Sequence, residues 1–526
     1  MVLSKLTHAL VFALKHAQQK KNTPAGDTIA ISRTVSELAV LYEKIRTAIE
    51  YREEHLLRRA AIERIIKRRL ILNENGRGIA EYLVREILWA KYLPENSINT
   101  SQIEDVQKTI DKYLFIRNEI VSGRSSVDRT NVFEWLISCA AAEVEEKLAP
   151  NPEREAFINF IFQYYKDKVF LRDEKDDLRE IQVYIAVHRA FANSNDDYIR
   201  FCLLKLSFSN LVEKTWKSFQ NDTREMYQSL MDIDHHLKHP IGQKMARALK
   251  KEMAPFLILR DVYEESPDKF ETVINDKEEM EKNVERTCHR RYDEIKKRLA
   301  RAGTRSIIYI FITKMVFALG LEYPYERYII GNLNEMALGI NTLFPPFLMF
   351  LALLGNAPPG EDNTKRIINR INEIAYNNDS TGHKIILTLH ASKRRPLLMF
   401  AFSLLYVTAF VVVFGGIVWG LTLLHFSLVS QMIFVFFITV VLFFAYRIRQ
   451  TGMEYTIARR ESFLSPVADF FLLPILNVGK WLSNEVARFN FFIAIFDYLI
   501  EAPFKTIFEV FEEWFSFMRR QKEEIL

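Results

Sequence analysis

The chain has 526 residues, of which 49% are hydrophobic and 26% are charged, and its formal net charge is +5. This length exceeds what one ordinary hydrophobic core needs, so we expect two or more structural units. The small net charge gives nucleic-acid binding no support, and three isolated cysteines without a CxxC pair exclude a zinc ribbon or a disulfide framework.

The distribution of residue types predicts an all-α protein. Seventeen glycines and 16 prolines are few for this length, and alternating β-branched patterns are scarce, which favours long helices. Charged residues are dense in 1–300, whereas the long apolar runs lie in 304–518. We predict a multi-helix cytoplasmic domain plus a membrane domain with a transmembrane helical hairpin (two to four spans) and an amphipathic C-terminal helix.

The first unit, residues 1–122, begins with an amphipathic helix. Its leucines recur at helical spacing, which favours packing on the next helix over rest on a membrane surface. From 29 to 72 neither Pro nor Gly interrupts the chain. There an apolar seam of three- and four-residue steps is typical of a coiled coil. We favour an antiparallel helix pair over an extended dimer. The seam consists of Val35, Leu38, Tyr42, Ile45 and Ile49.

The second cytoplasmic unit, residues 123–303, is also helical in pattern. Apolar periodicity, interrupted by Gly and Pro, predicts the helices of this unit and two further helices of the first unit. The two in the first unit are 77–93 and 100–122. The last of these is interrupted near Ser266-Pro267. The predicted helices span roughly 77–93, 100–122, 131–149, 152–171, 174–193, 196–211, 224–238 and 241–300.

Residues 396–446 read as a transmembrane hairpin. Leu397 to Leu424 contains no charged residue, and Leu428 to Tyr446 forms a second uncharged run after a short turn. A helix needs about 20 apolar residues to cross a bilayer. A soluble core rarely requires two adjacent helices that are apolar on all faces, so we predict membrane spans.

A second pair of spans is predicted within residues 304–355. Ser306 to Leu321 contains Lys314, and Met336 to Gly355 contains Asn341 and a Pro-Pro pair. The alternative is that both segments lie in the interface or pack against the hairpin. A charge inside a span is costly and marks a pathway or a partner, and Glu335 is the counter-ion that we expect for Lys314. Lys314, Glu335 and Asn341 therefore form the predicted intramembrane polar site.

Basic residues predict the orientation. Lys and Arg flank the proposed spans at 298–305, 365–370, 393–395 and 447–449, and the connecting turns are almost free of them. The positive-inside rule then places the N- and C-termini in the cytoplasm, with 356–395 as a cytoplasmic connector. The expected location is the cell (cytoplasmic) membrane, with several passes.

The last segment, residues 447–526, is predicted to stay near the bilayer. Phe463 to Val478 is apolar but contains two prolines, which is typical of a partly embedded or surface-lying segment. The tail then carries a helical stripe that needs a covering partner, either the headgroup region or another helix of the same chain or of a neighbouring copy. We favour helix packing and oligomerisation. The stripe consists of Phe489, Ile493, Phe496, Ile500, Ile507, Phe511 and Trp514.

Sites for chemistry are sparse. Asp232, His235 and His239 would share a helix face and could bind a metal, but no fourth ligand is evident, and we expect a solvated helix end instead. Cys288-His289 resembles a nucleophile and base only by adjacency, although the nearby arginines could lower the pKa of the thiol; we expect an exposed thiol in a basic helix. The chain lacks HExxH, P-loop and Gly-x-Ser-x-Gly motifs. We predict no metal, no cofactor and no enzyme activity.

These patterns favour a membrane-anchored helical scaffold or interaction protein that forms oligomers. Its expected partners are the lipid bilayer and a second copy or another protein bound through helices, with no nucleic acid. The alternative is a channel or transporter component that uses the four-span region, because interrupted helices and buried polar groups build ion paths. A membrane-associated enzyme without a recognisable motif is the second alternative.

Overall fold

A computed structural model of the chain is almost entirely helical where it is described, and the all-α prediction is confirmed. Residue contacts divide the chain into two compact units. The N-terminal unit comprises 4–250, 378–389 and 495–526, and the membrane unit comprises 1–3, 251–377 and 390–494. The structure describes residues 3–21, 36–37, 39–40, 43, 54–73, 75–95, 97–121, 126–171, 176–208, 211–212, 223–331, 334–354, 359–377, 385–387, 396–457, 465–488, 510 and 514.

The N-terminal unit consists of ten described helices and a two-stranded parallel sheet. The elements are α1 (Lys5–Lys21), α2 (Glu54–Leu72), α3 (Ile79–Trp89), α4 (Thr100–Val121), α5 (Ser126–Leu148), α6 (Pro152–Tyr165), β1 (Val169–Leu171), α7 (Asp176–Ala190), α8 (Asp196–Ser207), α9 (Thr223–Lys238), α10 (Pro240–Lys250) and β2 (Ile385–Leu387).

Two apolar cores hold these helices together. One lies among α2, α3, α4 and α5, and the other among α4, α5, α7, α8 and α9. Local sequence signals start the helices: Asn151 accepts the backbone N–H of Arg154 at 3.0 Å, and Asn195 accepts that of Tyr198 at 3.3 Å. Such side-chain caps satisfy backbone donors that a helix cannot pair internally.

Helix α1 packs within the N-terminal unit. Its buried residues include Leu10 and Leu14, and it lies against α6. Packing on a helix is therefore confirmed, with α6 as a neighbour, whereas packing on the next helix of the chain is not tested, because most of 22–53 lies outside the described residues. The coiled-coil prediction for 29–72 is not tested, because most of the seam lies outside the described residues.

The predicted helix at 152–171 is wrong at its end. Helix α6 stops at Tyr165, and Val169–Leu171 forms a strand that pairs in parallel with Ile385–Leu387. The β-branched and aromatic residues of both segments suit a sheet. A partner more than 200 positions away is invisible to local periodicity.

The membrane unit contains the remaining helices. They are α11 (Ala254–Glu265), a 3₁₀ turn (Pro267–Lys269), α12 (Phe270–Asn275), α13 (Lys277–Phe317), α14 (Glu335–Leu354), α15 (Glu361–Tyr376), α16 (Pro396–Leu423), α17 (Leu428–Gly452) and α18 (Ser465–Arg488).

Helix α13 begins at Asp276, whose carboxylate accepts the N–H groups of Glu278 (3.0 Å) and Glu279 (3.3 Å). The helix continues through π-helical turns as far as Ile330. It therefore crosses the domain boundary that was predicted at 303. The predicted domain division as a whole stays a prediction. The interruption predicted near Ser266-Pro267 within 241–300 is confirmed, because α11 ends at Glu265. The further breaks at 251–253 and at Asp276 were not predicted.

Four helices of the membrane unit are long and apolar enough to cross a bilayer. They are the distal part of α13, then α14, α16 and α17. The predicted hairpin is therefore accompanied by a second pair of candidate spans. The segment after the hairpin is a continuous helix, α18, with Pro474 inside it, and it packs on α16 and α17.

Candidate functional site

Two helical hairpins form the candidate membrane-crossing part of the membrane unit. The first joins the end of α13 to α14, and the second joins α16 to α17. Their turns are neighbours, because the side-chain amide of Asn334 donates to the backbone carbonyls of Leu424 (3.3 Å) and His425 (3.2 Å). Both turns thus lie at one end of the four helices, which we call the turn end.

The opposite ends of these helices also meet closely. A β-carbon added at Gly303 would lie 2.5 Å from Leu353 Cδ1, and one added at Gly452 would lie 3.1 Å from Leu299 Cδ1. Glycine therefore allows α13 to approach α14 and α17 where the basic flanks begin. We call this end the basic end.

A buried ion pair lies within the first hairpin. Lys314 Nζ is 2.6 Å from Glu322 Oε1, and both side chains are fully buried. In a regular α-helix eight residues leave two side chains about 80° apart. The π-helical turn from Ala318 to Glu322 inserts extra residues into the helix and so brings Glu322 round towards Lys314.

A second buried carboxylate lies one turn further along. Glu326 Oε1 accepts a hydrogen bond from Ser430 Oγ at 2.8 Å and lies 3.3 Å from Ser427 Oγ. Ser427 is also the N-cap of α17, where its Oγ accepts the backbone N–H of Ser430 at 3.2 Å. The cap of one hairpin thus supplies the partners of a carboxylate in the other.

Asn341 completes what we call the polar cluster. Its side-chain amide donates to the backbone carbonyl of Ser430 at 3.2 Å, and the side chain is fully buried. Three buried oxygens of the cluster lack a hydrogen-bond partner within the described part of the chain: Glu322 Oε2, Glu326 Oε2 and Asn341 Oδ1. The cluster consists of Lys314, Glu322, Glu326, Asn341, Ser427 and Ser430.

An apolar layer separates the polar cluster from the basic end. It contains Ile310, one turn before Lys314, together with Met349, Val441 and Ala445 from α14 and α17. All four side chains are buried. The polar groups therefore extend from the turn end to Lys314 and give way there to hydrocarbon.

The predicted intramembrane site is brought together only in part. Lys314 and Asn341 lie in the polar cluster, but Glu335 is exposed at the start of α14. The expected pairing of Lys314 with Glu335 is wrong, because Glu322 supplies the carboxylate. Glu322 lies on the same continuous helix as Lys314, so this ion pair does not require the start of α14 to approach Lys314.

Glu322, Glu326 and Ser430 were not predicted as members of a site from the sequence. The predicted span ended at Leu321 because the next residues combine charges with Pro324. A usable signal was present, since Glu322 and Glu326 are four residues apart and so share a helix face. The π turns that carry the helix onward could not be read from composition.

The weak metal candidates, Asp232, His235 and His239, lie on and just after α9. The rings of His235 and His239 are 6.2 Å apart between centroids. Asp232 is exposed, while the neighbouring carboxylate of Asp234 pairs with Arg200 and Lys238. Among the residues that the structure describes, no group of three His, Cys, Asp or Glu side chains is placed to hold a metal ion.

Cys288 is buried, so the expectation of an exposed thiol is wrong. Burial raises the pKa of Cys288 from 9.0 to about 12, which keeps the thiol protonated at neutral pH. A protonated thiol is a poor nucleophile. The site therefore gives no support to catalysis by Cys288 and His289.

A shallow cavity of about 450 Å³ lies at the start of α13. Its walls are charged and polar, and they include the helix cap Asp276, so it lacks the apolar lining typical of small-molecule sites. The cavity is lined by Asp276, Glu278, Glu279, Lys282, Asn283 and Arg286.

The predicted oligomer or membrane face of the tail cannot be placed. Phe489, Ile493, Phe496, Ile500, Ile507 and Phe511 lie outside the described residues. Trp514 is helical and about half exposed, with 52% of its surface accessible.

The polar cluster is the most distinctive constellation in the described chain, because it buries charges inside helices that are otherwise apolar. Comparison with other proteins adds no assignment: no protein-family model, curated protein or solved structure matches this chain significantly.

Proposed function

We propose that this chain is a multi-pass membrane protein whose membrane unit takes part in the movement of a monovalent cation or proton across the bilayer. The observation that supports this proposal is the polar cluster, in which Glu322, Glu326 and Asn341 retain unpaired buried oxygens. Ionisable residues within membrane spans are expensive and usually serve ion pathways or proton relays.

A purely structural role explains the cluster less well. A single Lys–Glu pair would be enough to neutralise Lys314, yet a second carboxylate, Glu326, is buried beside it with only hydroxyl donors. Each unpaired buried acceptor carries a desolvation cost of about 1–3 kcal/mol. A protein can tolerate this cost at a site where the oxygens must bind and release a transported cation or proton.

The apolar layer at Ile310, Met349 and Val441 fits the same function. A hydrophobic constriction stops water and ions while it is closed. A polar half-path that ends at such a layer is what a gated pathway requires in its closed state. The turn end would then be the open side.

We further propose that the turn end faces the outside and that both termini are cytoplasmic. Exposed basic residues flank the basic end on three helices, whereas Arg327 is the one Lys or Arg close to the described turns. The positive-inside rule favours this orientation in a cytoplasmic membrane. The flanking residues are Arg298, Arg301, Arg305, Lys365, Arg366, Arg447 and Arg449.

The test is flux in proteoliposomes. The purified full chain is reconstituted, a proton or sodium gradient is imposed under a set membrane potential, and internal ion concentration is followed with a fluorescent indicator. We expect Glu326→Gln to reduce flux at least tenfold and Glu335→Gln to leave it unchanged, because Glu335 is exposed outside the cluster. Wild-type flux no greater than that of empty liposomes would refute the proposal.

A non-enzymatic scaffold or anchor is the second candidate. Only 6% of the apolar segment of α16 is buried within the chain, compared with 39% for α17, so α16 presents a long surface to lipid or to another helix. Under this alternative the N-terminal unit would bind partners and the hairpin would hold it at the membrane. Mass measurement in detergent at several concentrations would show whether the chain forms an oligomer.

A further inference from the structure

The two carboxylate oxygens of Glu326 differ in their hydrogen bonding. Oε1 is within reach of two hydroxyls, those of Ser427 and Ser430, while Oε2 has no partner in the described structure. The side chain is 2% exposed. An ionised carboxylate with no cation bound to it is strongly disfavoured in such surroundings.

The one ammonium group of the polar cluster is already engaged. Lys314 Nζ donates to Glu322 Oε1 at 2.6 Å and lies 4.8 Å from the centroid of the Phe437 ring. With Lys314 charged and both carboxylates ionised, the cluster would carry one net negative charge. One added positive charge would neutralise it.

Among the side chains that the structure describes, no charged group on the packed elements supplies that charge. Helix α14 has a single ionisable residue, Glu335, which is exposed, and the basic residues of α17, Arg447 and Arg449, lie at the basic end. Helix α16 has no acidic or basic residue. Arg327, which follows Glu326, and His425 in the neighbouring turn are both exposed. Lys480 of α18 is exposed as well.

The oxygen set favours a proton over a metal cation. Hard cations in proteins take about six or more oxygen ligands, whereas the cluster leaves three buried oxygens unpaired. A carboxyl proton needs one acceptor and requires no coordination sphere. It would also convert the unpaired Oε2 of Glu326 from a buried acceptor into a hydroxyl group and remove the negative charge.

We infer that the polar cluster holds one exchangeable proton on the carboxyl group of Glu326 and exchanges it with water at the turn end past Ser427 and Ser430. Release leaves a carboxylate that accepts the two serine hydroxyls, and the proton passes to water. Rebinding restores a neutral cluster. This inference rests on the proposed function for its purpose, and it narrows the transported species to a proton.

The test is infrared difference spectroscopy of the full chain in liposomes, with pH stepped on the turn side. Wild type should show a protonated-carboxyl band at neutral pH that shifts in D₂O and disappears as pH rises. Glu326→Gln should abolish the band, whereas Glu335→Gln should keep it. Glu326→Asp preserves a carboxyl group and should retain a displaced band, which guards against loss of fold in Glu326→Gln.

The outcomes separate this inference from the proposed function. A band that persists in Glu326→Gln, or no band at any pH in wild type, would overturn the proton assignment. A band removed by sodium at constant pH would overturn it too, and would indicate a metal-cation site. A titrating Glu326 band without flux in proteoliposomes would support the inference and refute the transport proposal.

Discussion

Lys314 and Glu322 form a pair whose value depends on both members being present. Each is fully buried, and Lys314 Nζ contacts Glu322 Oε1 at 2.6 Å. Breaking a buried ion pair by removing one member leaves an uncompensated charge, whereas replacing both is close to neutral. The pair therefore constrains the chain more strongly than either residue does alone.

We predict that Lys314→Met destabilises the membrane unit by about 3–5 kcal/mol, because Glu322 is left buried without a cation. Lys314→Met combined with Glu322→Gln should recover most of that loss. The measurement is the midpoint of thermal unfolding in detergent, with Lys365→Met at an exposed position of α15 as the control. A double variant as unstable as the single one would show that the pair does not act as a unit.

Buried His188 makes the stability of the N-terminal unit depend on pH. Burial, together with the positive charges of Arg154 and Arg59, lowers the pKa of His188 from 6.5 to about 3. The pKa of His55 is lowered to about 3 chiefly by burial and also by Arg154. The folded state thus binds fewer protons than the unfolded state between pH 3 and 6.5, so stability is complete above pH 6.5 and falls as pH drops.

For His188 alone the slope approaches about 1.4 kcal/mol per pH unit in that window. We expect the unfolding midpoint, followed by tryptophan fluorescence, to fall between pH 7 and pH 4. His188→Gln should flatten the dependence, and His16→Gln at an exposed position of α1 should not. An unchanged pH profile in His188→Gln would contradict the assignment.

At the scale of elements, the π turns at the end of α13 matter most. They carry the helix past Pro324 and place Glu322 and Glu326 among the facing helices. Short π segments often mark functional sites in helices. The predicted span ended at Leu321, before both carboxylates. Local hydropathy does not reveal that packing against neighbouring helices allows an irregular turn to continue the helix.

Helix α18 packs against α17 through a glycine. A β-carbon at Gly479 would lie 2.4 Å from the backbone oxygen of Thr439 and 2.7 Å from Phe443 Cβ. Gly416 on α16 has no heavy atom within 4 Å of the equivalent position among the described residues. The two glycines therefore make a matched pair for a packing test.

We predict that Gly479→Ala lowers stability by about 1–3 kcal/mol, because α18 must move away from a backbone that cannot yield. Gly416→Ala should be neutral or slightly stabilising, since alanine is the better helix former. Thermal unfolding in the same detergent compares the two. Equal effects from both substitutions would argue against close contact between α17 and α18.

At the scale of the whole molecule, the number of membrane crossings distinguishes the transport proposal, which needs four spans, from the scaffold alternative, which needs only the hairpin. The adjacent turns, joined by Asn334 to Leu424 and His425, require the first and second hairpins to share an end. If the second hairpin crosses the bilayer, the same geometry carries the first one to the same face.

We predict that cysteines introduced at Glu335 and Leu424 are labelled from outside the cell by an impermeant maleimide, and that cysteines at Lys365 and Arg449 are not. All four positions are exposed on the chain. The native cysteines, Cys139, Cys202 and Cys288, are first replaced by alanine. Labelling at Leu424 without labelling at Glu335 would leave two spans, and the transport proposal would lose its site.

Much of the architecture could be predicted from local patterns. Long uncharged runs predicted the hairpin of α16 and α17, and helical periodicity predicted most helices of the N-terminal unit, because both signals depend on residues near in sequence. Lys314 and Asn341 were also identifiable, since a polar side chain in an apolar run is conspicuous by itself. The β1–β2 pairing and the true partner of Lys314 were not.

By itself, the sequence determined an all-α chain with enough apolar length for several membrane crossings, because length and hydrophobicity are sums over neighbouring residues. The tertiary structure alone decided which polar groups meet. Glu322 reaches Lys314 only through an irregular helix, and Glu326 meets Ser430 from a position more than 100 residues away. Such contacts depend on how helices pack, and packing couples distant residues that no local pattern relates.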